Sequence, residues 1–254
     1  MKVVVLVKEV PDLEAAVKVT GGGSGLEVEK RRGLNFFDEI AVEAALKLKE
    51  AHGATVAAVS AAAGTGVEAM RRAVAMGVES PLLIDDATLE GADPLTIARA
   101  LAAAVSLDGF DLILAGKQAT DDEAGLVGPM VAEILGIACV TGVTTLEVAD
   151  GVATVSREVE GGSEKLRVTL PALLTAEKGL YEPRVPGMAG TMKAMKVQIA
   201  RTDLATLGVT AHPPLPVAGY RTVGARPPVT MIQGEPDDAA AELVRLLREE
   251  AKVL

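Results

Sequence analysis

A chain of 254 residues can bury one large core with at most a small appendage, and a content of 49% hydrophobic and 24% charged residues is that of a globular protein. The formal charge of −10 excludes the basic stripe of a nucleic-acid surface, and with His52 and His212 as the only histidines a zinc site or a histidine-based triad has no basis. The single cysteine, Cys139, excludes an internal disulfide and, in the apolar run Ile137 to Val140, reads as a small core residue.

Met1-Lys-Val-Val-Val-Leu-Val7 enters a strand directly, and Val3 to Val7 reads as a central strand buried on both faces. A signal peptide would need a longer apolar segment with a small-residue cleavage site, and no run reaches the ~18 apolar residues of a membrane span. A cytoplasmic location is therefore expected. The stretch Leu13 to Arg32, with Gly21-Gly-Gly-Ser-Gly25, reads as a surface turn. Asn35 opens a helix carrying Phe37, Ile40, Ala44 and Leu48 on one face, with Gly53 past its end. Thr55 to Val59 is the second strand. Thr65-Gly-Val-Glu68 has the spacing of a capping box and opens a helix that stops at Gly77. Pro81 to Ile84 is the third strand, and Asp93-Pro94 begins the next helix, with Ile97, Leu101 and Val105 inward.

The most informative stretch is Asp111 to Met130. Leu112 to Ala115 is a buried strand and Gly116 to Glu123 a polar turn. Leu126, Val127, Met130, Val131, Ile134 and Leu135 then recur at helical spacing until Gly136. Strand, turn and helix start in that order bring free N–H groups and the positive end of the helix dipole together, an arrangement suited to an anion. Ala124, Gly125 and Gly128 would let a phosphate come close to the backbone. The same pattern also fits an ordinary turn with a solvated, charged rim.

Alternating strands and helices through about residue 142 predict an α/β fold, a doubly wound, mostly parallel sheet with helices on both faces. The pattern then changes. Val143 to Val148, Val152 to Glu158 and Leu166 to Leu170 alternate apolar and polar residues, which predicts an antiparallel β-meander at the edge of the sheet or beside it. Pro171 to Thr175 is one more core strand. Residues 1–200 form the α/β domain, including the meander. Residues 201–254 form an arm in which Pro213, Pro214, Pro216, Pro227, Pro228 and Pro236 cluster ahead of an amphipathic helix, Asp238 to Lys252, with Leu243, Leu246 and Leu247 on its apolar face. An arm ending in such a helix predicts wrapping onto another chain.

Two familiar motifs fail on inspection. Gly64-Thr-Gly66-Val-Glu-Ala69 has dinucleotide-fingerprint spacing, with Asp85 placed as a ribose acid, but three alanines separate it from its strand. Gly116-Lys117 is not a phosphate-binding P-loop, because Asp111 stands where glycine is required and Gln118 replaces the hydroxyl residue. The run Asp121-Asp-Glu123 reads as a solvated charge cluster at a helix entry rather than a metal site. In Glu182 to Lys196, turn formers, methionines and cations mix, which suits either an adaptable partner contact at Met188 or a loop capping the core.

Several segments together resemble the β subunit of electron transfer flavoprotein, over nearly the whole length. They are Val7-Lys-Glu-Val-Pro-Asp12, Asn35-Phe-Phe-Asp-Glu-Ile-Ala-Val-Glu43, Ala75-Met-Gly77 and Ala115-Gly-Lys-Gln-Ala-Thr-Asp-Asp122. The signature region is similar at Val155-Ser-Arg-Glu-Val-Glu-Gly-Gly162 and Leu170-Pro171-Ala172, and again at Glu182-Pro-Arg184 and Met192-Lys-Ala194.

The resemblance implies a Rossmann-like, adenine-nucleotide-binding fold in a heterodimer whose α subunit holds most of an FAD. This chain would help cover the flavin and carry a structural AMP. The implied AMP pocket comprises Leu6, Asn35, Phe36, Phe37, Asp38 and Ala61, with the turn formed by Gln118, Ala119, Thr120, Asp121, Asp122, Glu123, Ala124, Gly125, Leu126, Val127 and Gly128. Ala124-Gly125-Leu126 replaces a more polar family set, so contacts from the backbone are expected to predominate. Leu13, Arg157 and Glu158 fall at positions near the FAD, Arg157 being suited to stabilise a reduced, anionic flavin. Val185, Pro186, Gly187, Met188, Ala189, Gly190 and Thr191 correspond to the family's recognition loop. Met188 is its apolar anchor, with Lys193 and Lys196 just beyond.

The implied role is an electron carrier, not an enzyme in its own right, that accepts electrons from acyl-CoA and related flavin dehydrogenases and passes them to a membrane quinone oxidoreductase. Two alternatives stay open: an electron-bifurcating relative with a second FAD in the AMP site, and a stand-alone adenine-nucleotide-binding module.

Overall fold

In the computed structural model, which describes residues 1–213, 216–224, 226 and 228–254, strand and helix alternate from the first residues. Four consecutive buried positions make β1 (Lys2–Leu6) the centre of the sheet. A short strand β2 (Glu9–Pro11) follows, then a hairpin of β3 (Val17–Thr20) and β4 (Gly25–Val28), and then β5 (Arg32–Leu34) paired back on β2. The glycine run 21–25 does form the turn. The expectation of a bare surface turn missed the strands on either side, which are almost wholly exposed and carry little apolar patterning.

Helix α1 (Phe36–His52) buries Ile40, Ala44 and Leu48 and ends on the left-handed Gly53. Strand β6 (Thr55–Ala62) leads to α2 (Val67–Met76), β7 (Ser80–Asp85) to α3 (Pro94–Asp108), and β8 (Leu112–Gly116) to α4 (Val127–Leu135). The meander follows as β9 (Ala138–Ala149), β10 (Val152–Val159) and β11 (Gly162–Thr169), and the fully buried β12 (Ala172–Ala176) completes the core. Then come α5 (Met188–Lys196), β13 (Ala200–Thr202) and α6 (Pro236–Glu249).

Nine of these strands form one sheet in the order β11-β10-β9-β12-β8-β1-β6-β7-β13. β12, β8, β1, β6, β7 and β13 run parallel; the antiparallel pairings are those of the meander. The meander is thus continuous with the main sheet, because the long β9 pairs in parallel with β12 at its start and antiparallel with β10 further on. Along β1, Val3 and Val5 face the core under α1 and α2, while Val4 and Leu6 face the core under α3 and α4. Burial on both faces is why this strand reads as an unbroken apolar run.

Four sequence expectations need correction. Thr65 does not cap α2. The cap position is Gly66, and the carboxylate of Glu9 accepts from the N–H groups of Gly66 (2.9 Å) and Glu68 (3.0 Å). A charged acceptor arriving from β2 serves the same free amides and sits at the positive end of the dipole. Cys139 is exposed near the start of β9 rather than buried. Leu126 and Ile134, expected on the buried stripe of α4, are exposed, and the stripe is carried by Val131 and Ala132. Met188 to Thr191, expected within a recognition loop, are the first residues of a helix.

In the arm, Pro214 and Pro227 lie outside the described residues. Its final helix starts at Pro236 and ends at Glu249, shorter at its end than expected. The arm runs back over the domain: His212 N–H donates to Thr96 Oγ1 (3.2 Å) and Tyr220 N–H to Gly23 O (2.7 Å). No residue of α6 is buried in the single chain, and Leu243 and Val244 on it are exposed.

Candidate functional site

The chain passes from β1 to β6 on one side and later to β8 on the other, so the strand order reverses between β1 and β8. Crevices form outside the carboxyl ends of strands at such a reversal, because the two crossover connections leave in opposite directions. A cleft of about 530 Å³ lies there, within the range of small-ligand sites.

The cleft's polar lip is held together by the first turn of α1. Asn35, almost fully buried, occupies the cap position but does not use its side chain to cap the helix. Its amide nitrogen donates to Gln118 O (2.9 Å), and its oxygen accepts from Thr120 N–H (3.1 Å), clamping the turn after β8. Asp38 accepts from Lys8 N–H (2.7 Å) on one oxygen and from Gly116 N–H (2.9 Å) on the other. One carboxylate therefore ties the ends of β1 and β8 together. Burial pushes the Asp38 carboxyl up to about 7, against the pull of these two main-chain donors, of Asn35 and of the Lys8 charge. Gly116 is required for the approach, since a Cβ there would lie 2.7 Å from Phe37 Cβ and 2.8 Å from its carbonyl carbon.

Lys8 disposes of the acidic run. Its Nζ pairs with Asp121 at 2.7 Å and Asp122 at 3.0 Å. Burial works against the Lys8 charge, but these two carboxylates outweigh it and hold the ammonium above its usual value. Burial likewise disfavours the Asp122 carboxylate, yet Ala124 N–H and Lys8 bring its pKa below the ordinary range. The acids are drawn onto the β1 side, and the turn beyond them is free of side-chain bulk at Ala124 and Gly125. Gly125 has φ +63°, a conformation suited to glycine, and Gly128 packs against Thr175, where a Cβ would sit at 3.0 Å. As first-turn residues of α4, Val127 and Gly128 have amides with no partner inside the helix.

Most of the sequence-predicted AMP set comes together here: Leu6, Asn35, Asp38, Ala61, Gln118, Ala119, Asp121, Asp122 and the run Ala124 to Gly128 all line the cleft. Phe36, Phe37, Thr120 and Glu123 do not. Phe37 lies under the Lys117 ammonium, 5.6 Å from ring centroid to Nζ, and Phe36 meets it edge-on. Phe36 and Thr120 line a neighbouring groove of about 650 Å³, shared with Leu13 and Arg72. The apolar wall opposite, Leu89, Ile97 and Leu101, was absent from the sequence prediction. Its signal was available: Asp93-Pro94 starts α3 at the same rim, and Ile97 and Leu101 are two of its stripe residues.

The Gly64 loop holds no comparable site. Its amides are engaged by Glu9 and by Asp85, whose Oδ1 accepts from Gly64 N–H (2.9 Å) and whose other oxygen pairs with Arg201. Arg157 and Glu158 stand on β10. The register carries Gly116 to Ala176, Ala176 to Val143 and Val143 to Arg157, so Arg157 lies at the same carboxyl edge as the cleft, three strands beyond β8. Its guanidinium is paired with Glu164 on β11 at 2.8 Å.

The stretch from Val185 onward is built as a platform. Arg184 grips the buried Glu43 of α1 through Nε (2.7 Å) and Nη2 (2.8 Å), and also reaches Glu50. Burial disfavours the Glu43 carboxylate, but the Arg184 bonds prevail and lower its pKa. Helix α5 then packs on α2. Gly190 lies against Ala75 O, and Arg71 donates to Ala194 O (2.8 Å). Val185 and Met188 point outward, largely exposed.

This architecture places the chain in the Rossmann-like, doubly wound class of α/β proteins. The family model for the electron transfer flavoprotein domain matches residues 26–207. The electron transfer flavoprotein subunit beta of Bacillus subtilis is 40% identical over 225 residues, 87% of this chain and 88% of that protein. That of Bradyrhizobium diazoefficiens is 38% identical over the whole of both chains. A probable electron transfer flavoprotein subunit beta of Saccharomyces cerevisiae is 32% identical over 98% of this chain and 96% of its own length. The chain belongs to the electron transfer flavoprotein family, as one of its β subunits. Among the described residues, no helix is long and apolar enough to cross a membrane.

Proposed function

We propose that this chain works as the β half of a cytoplasmic heterodimeric electron carrier. A larger α subunit holds most of an FAD, and the cleft between β1 and β8 holds an AMP whose purpose is structural. The observation that carries the AMP reading is the construction of the cleft. Unpaired amides at the start of α4 meet small residues at 124, 125 and 128, while Lys8 draws the nearby carboxylates aside. Backbone donors suit a phosphate where side-chain donors are few. Leu6, Leu89, Ile97 and Leu101 supply an apolar wall for an adenine ring.

FAD, when bound, supplies the one- and two-electron chemistry of the assembly. The work left to this chain is to cover and to orient. Leu13 offers an exposed apolar surface beside the 650 Å³ groove, and Arg157 brings a cation to the same edge of the sheet, where it favours negative charge on a reduced flavin. The α5 platform presents Met188, with Lys193 and Lys196 in the last turn of the helix, to flavin dehydrogenases such as the acyl-CoA dehydrogenases. An apolar plug with a charged rim gives weak, exchangeable docking, as a shuttle requires before it passes electrons to a membrane quinone oxidoreductase. The arm and α6, whose apolar face is uncovered in the single chain, clasp the α subunit.

The test is to purify the complex, extract its nucleotides and identify them by mass. One AMP and one FAD per heterodimer is the expected result. Two FAD and no AMP would replace the shuttle with a bifurcating flavoprotein. A folded chain that never co-purifies with a flavoprotein subunit would reduce it to a nucleotide-binding module.

A further inference from the structure

Helix α5 carries three of the protein's eight methionines at positions 188, 192 and 195. This spacing, four and then three residues, places them on one line along the helix. The opposite side is the packed one: Gly190 and Ala194 lie against α2, and Ala194 is buried. The three side chains are accordingly exposed, Met188 by 82%, Met192 by 56% and Met195 by 67%. Met70 and Met76, by contrast, are buried in the core. Lys196 follows the line at the end of the helix, and Lys193 lies further round on the same side. The thioethers are thus concentrated on the one face that the proposed function assigns to docking, and they are open to solvent whenever no partner is bound.

We propose that this methionine line is a reversible oxidation site that uncouples the carrier from its electron donors; the functional consequence, though not the chemistry, rests on the docking role proposed above for α5. A peroxide transfers one oxygen atom to the thioether sulfur. The sulfur loses two electrons and becomes a sulfoxide, the O–O bond breaks, and hydrogen peroxide is reduced to water. The product is polar and strongly hydrogen-bonding, where an apolar plug is needed. The contacts of Gly190 and Ala194 hold α5 on α2 through backbone atoms and a buried alanine. Arg71, which also reaches Met195 Sδ at 4.0 Å, can donate to a sulfoxide oxygen as it does to the thioether, so oxidation changes the chemistry of the face without unfolding the helix. Thiol-dependent methionine sulfoxide reductases, one for each epimer, restore the thioether.

The experiment uses the FAD-loaded heterodimer, treated with hydrogen peroxide and mapped by peptide mass. Oxidation is expected first at Met188, Met192 and Met195 and at the exposed Met231, with Met70 and Met76 spared. The rate of flavin reduction by a donor acyl-CoA dehydrogenase at limiting concentration should fall about tenfold, the effect of burying one poorly paired polar group at an interface. Reduction by dithionite should be unchanged. The two reductases together should restore the donor rate. The variant Met188→Leu/Met192→Leu/Met195→Leu, compared with its own untreated rate, should lose nothing further on peroxide treatment. An unchanged donor rate after oxidation of all three residues would overturn the inference, as would a loss that persists in the leucine variant. A separate Met188→Glu variant tells the two ideas apart: if it also docks normally, the docking role of α5 fails, whereas if it alone is impaired, only the oxidation switch fails.

Discussion

Asp38→Asn is the most discriminating perturbation, because its effect on stability changes sign with pH. In the folded chain the carboxyl is buried and pushed up from 3.8 to about 7. The native state therefore keeps a proton that the unfolded chain has released throughout that interval. For an acid shifted this way, the stabilising contribution is complete below pH 3.8 and is lost as pH rises to about 7. The slope inside the window approaches 1.4 kcal/mol per pH unit, and the whole change is ~4 kcal/mol. Asparagine does not titrate, so its stability has no such slope. It has its own cost. Lys8 N–H and Gly116 N–H each donate to a different oxygen of Asp38, and an amide can serve only one of them. Leaving the other N–H facing an NH₂ group costs about 1–3 kcal/mol. The variant should accordingly be the weaker protein below about pH 5 and the stronger one above about pH 6, by ~1–3 kcal/mol at each extreme. Urea unfolding of both chains, followed by circular dichroism from pH 4.5 to 8, measures the difference, and contributions from every other group cancel. Parallel curves with no crossing would refute the reasoning, as would a carbon-13 titration that places the Asp38 carboxyl near 4.

Three further substitutions probe the frame of the cleft and its platform. Asn35→Ala removes both bonds that clamp the turn at Gln118 and Thr120; it should cost about 1–3 kcal/mol and weaken AMP binding, as read by calorimetric titration of nucleotide-free protein. Gly116→Ala places a methyl within 3 Å of Phe37; the first turn of α1 must move, with a loss of about 1–3 kcal/mol in thermal unfolding and a cleft whose lip no longer closes in a crystal structure. Arg184→Ala strands the buried Glu43 with only Lys47 near it, at 3.7 Å, and should cost ~3 kcal/mol; adding Glu43→Gln should return part of that loss, since the uncompensated charge is gone.

How much of this was readable in the chain depends on where each residue's partners come from. Burial on both faces leaves a plain signature, so β1, β8 and β12 stand out as apolar runs, and the stripes of α1 and α3 follow the helical period. The meander was equally plain, because buried residues such as Ala153, Val155 and Val168 are interleaved with half-buried or exposed ones. The hairpin of β3 and β4 was not, since neither strand has a buried face to impose a pattern. Short β13 was missed for a related reason: its three residues gain strand character only from pairing with β7 at the sheet edge. At the site, local sequence located the turn after β8 but misjudged its surroundings. Thr65 has the right spacing for a cap, yet Glu9 reaches α2 from more than fifty positions away and takes its place. The acidic run at 121–123 reads locally as a solvated charge cluster, yet Asp121 and Asp122 are paired with Lys8, just past the end of β1. Long-range pairs of this kind leave no trace in local periodicity.

The same pairs explain how a loop whose helix-start residues offer so few side-chain donors can be a defined site. A turn that relied on its own side chains would need donors at 124 to 126, and this chain has Ala124, Gly125 and Leu126 there. Its shape is set from outside instead. Asn35 fixes the turn's first residues, Asp38 sets the spacing of the strands that carry it, Lys8 turns the acids aside and Thr175 backs Gly128. Asp38 and Thr175 lie on elements with buried cores, and Lys8 and Asn35 flank β1 and α1, so the amides are held in place at the cost of ordering the scaffold rather than the loop. The side chains of the loop are then released from binding, which is consistent with an anion held by the backbone. It follows that substitutions at 35 and 38, which touch the turn or the ends of the strands that carry it, should disturb nucleotide retention more than an Ala124→Ser or Leu126→Gln change made inside the cleft itself.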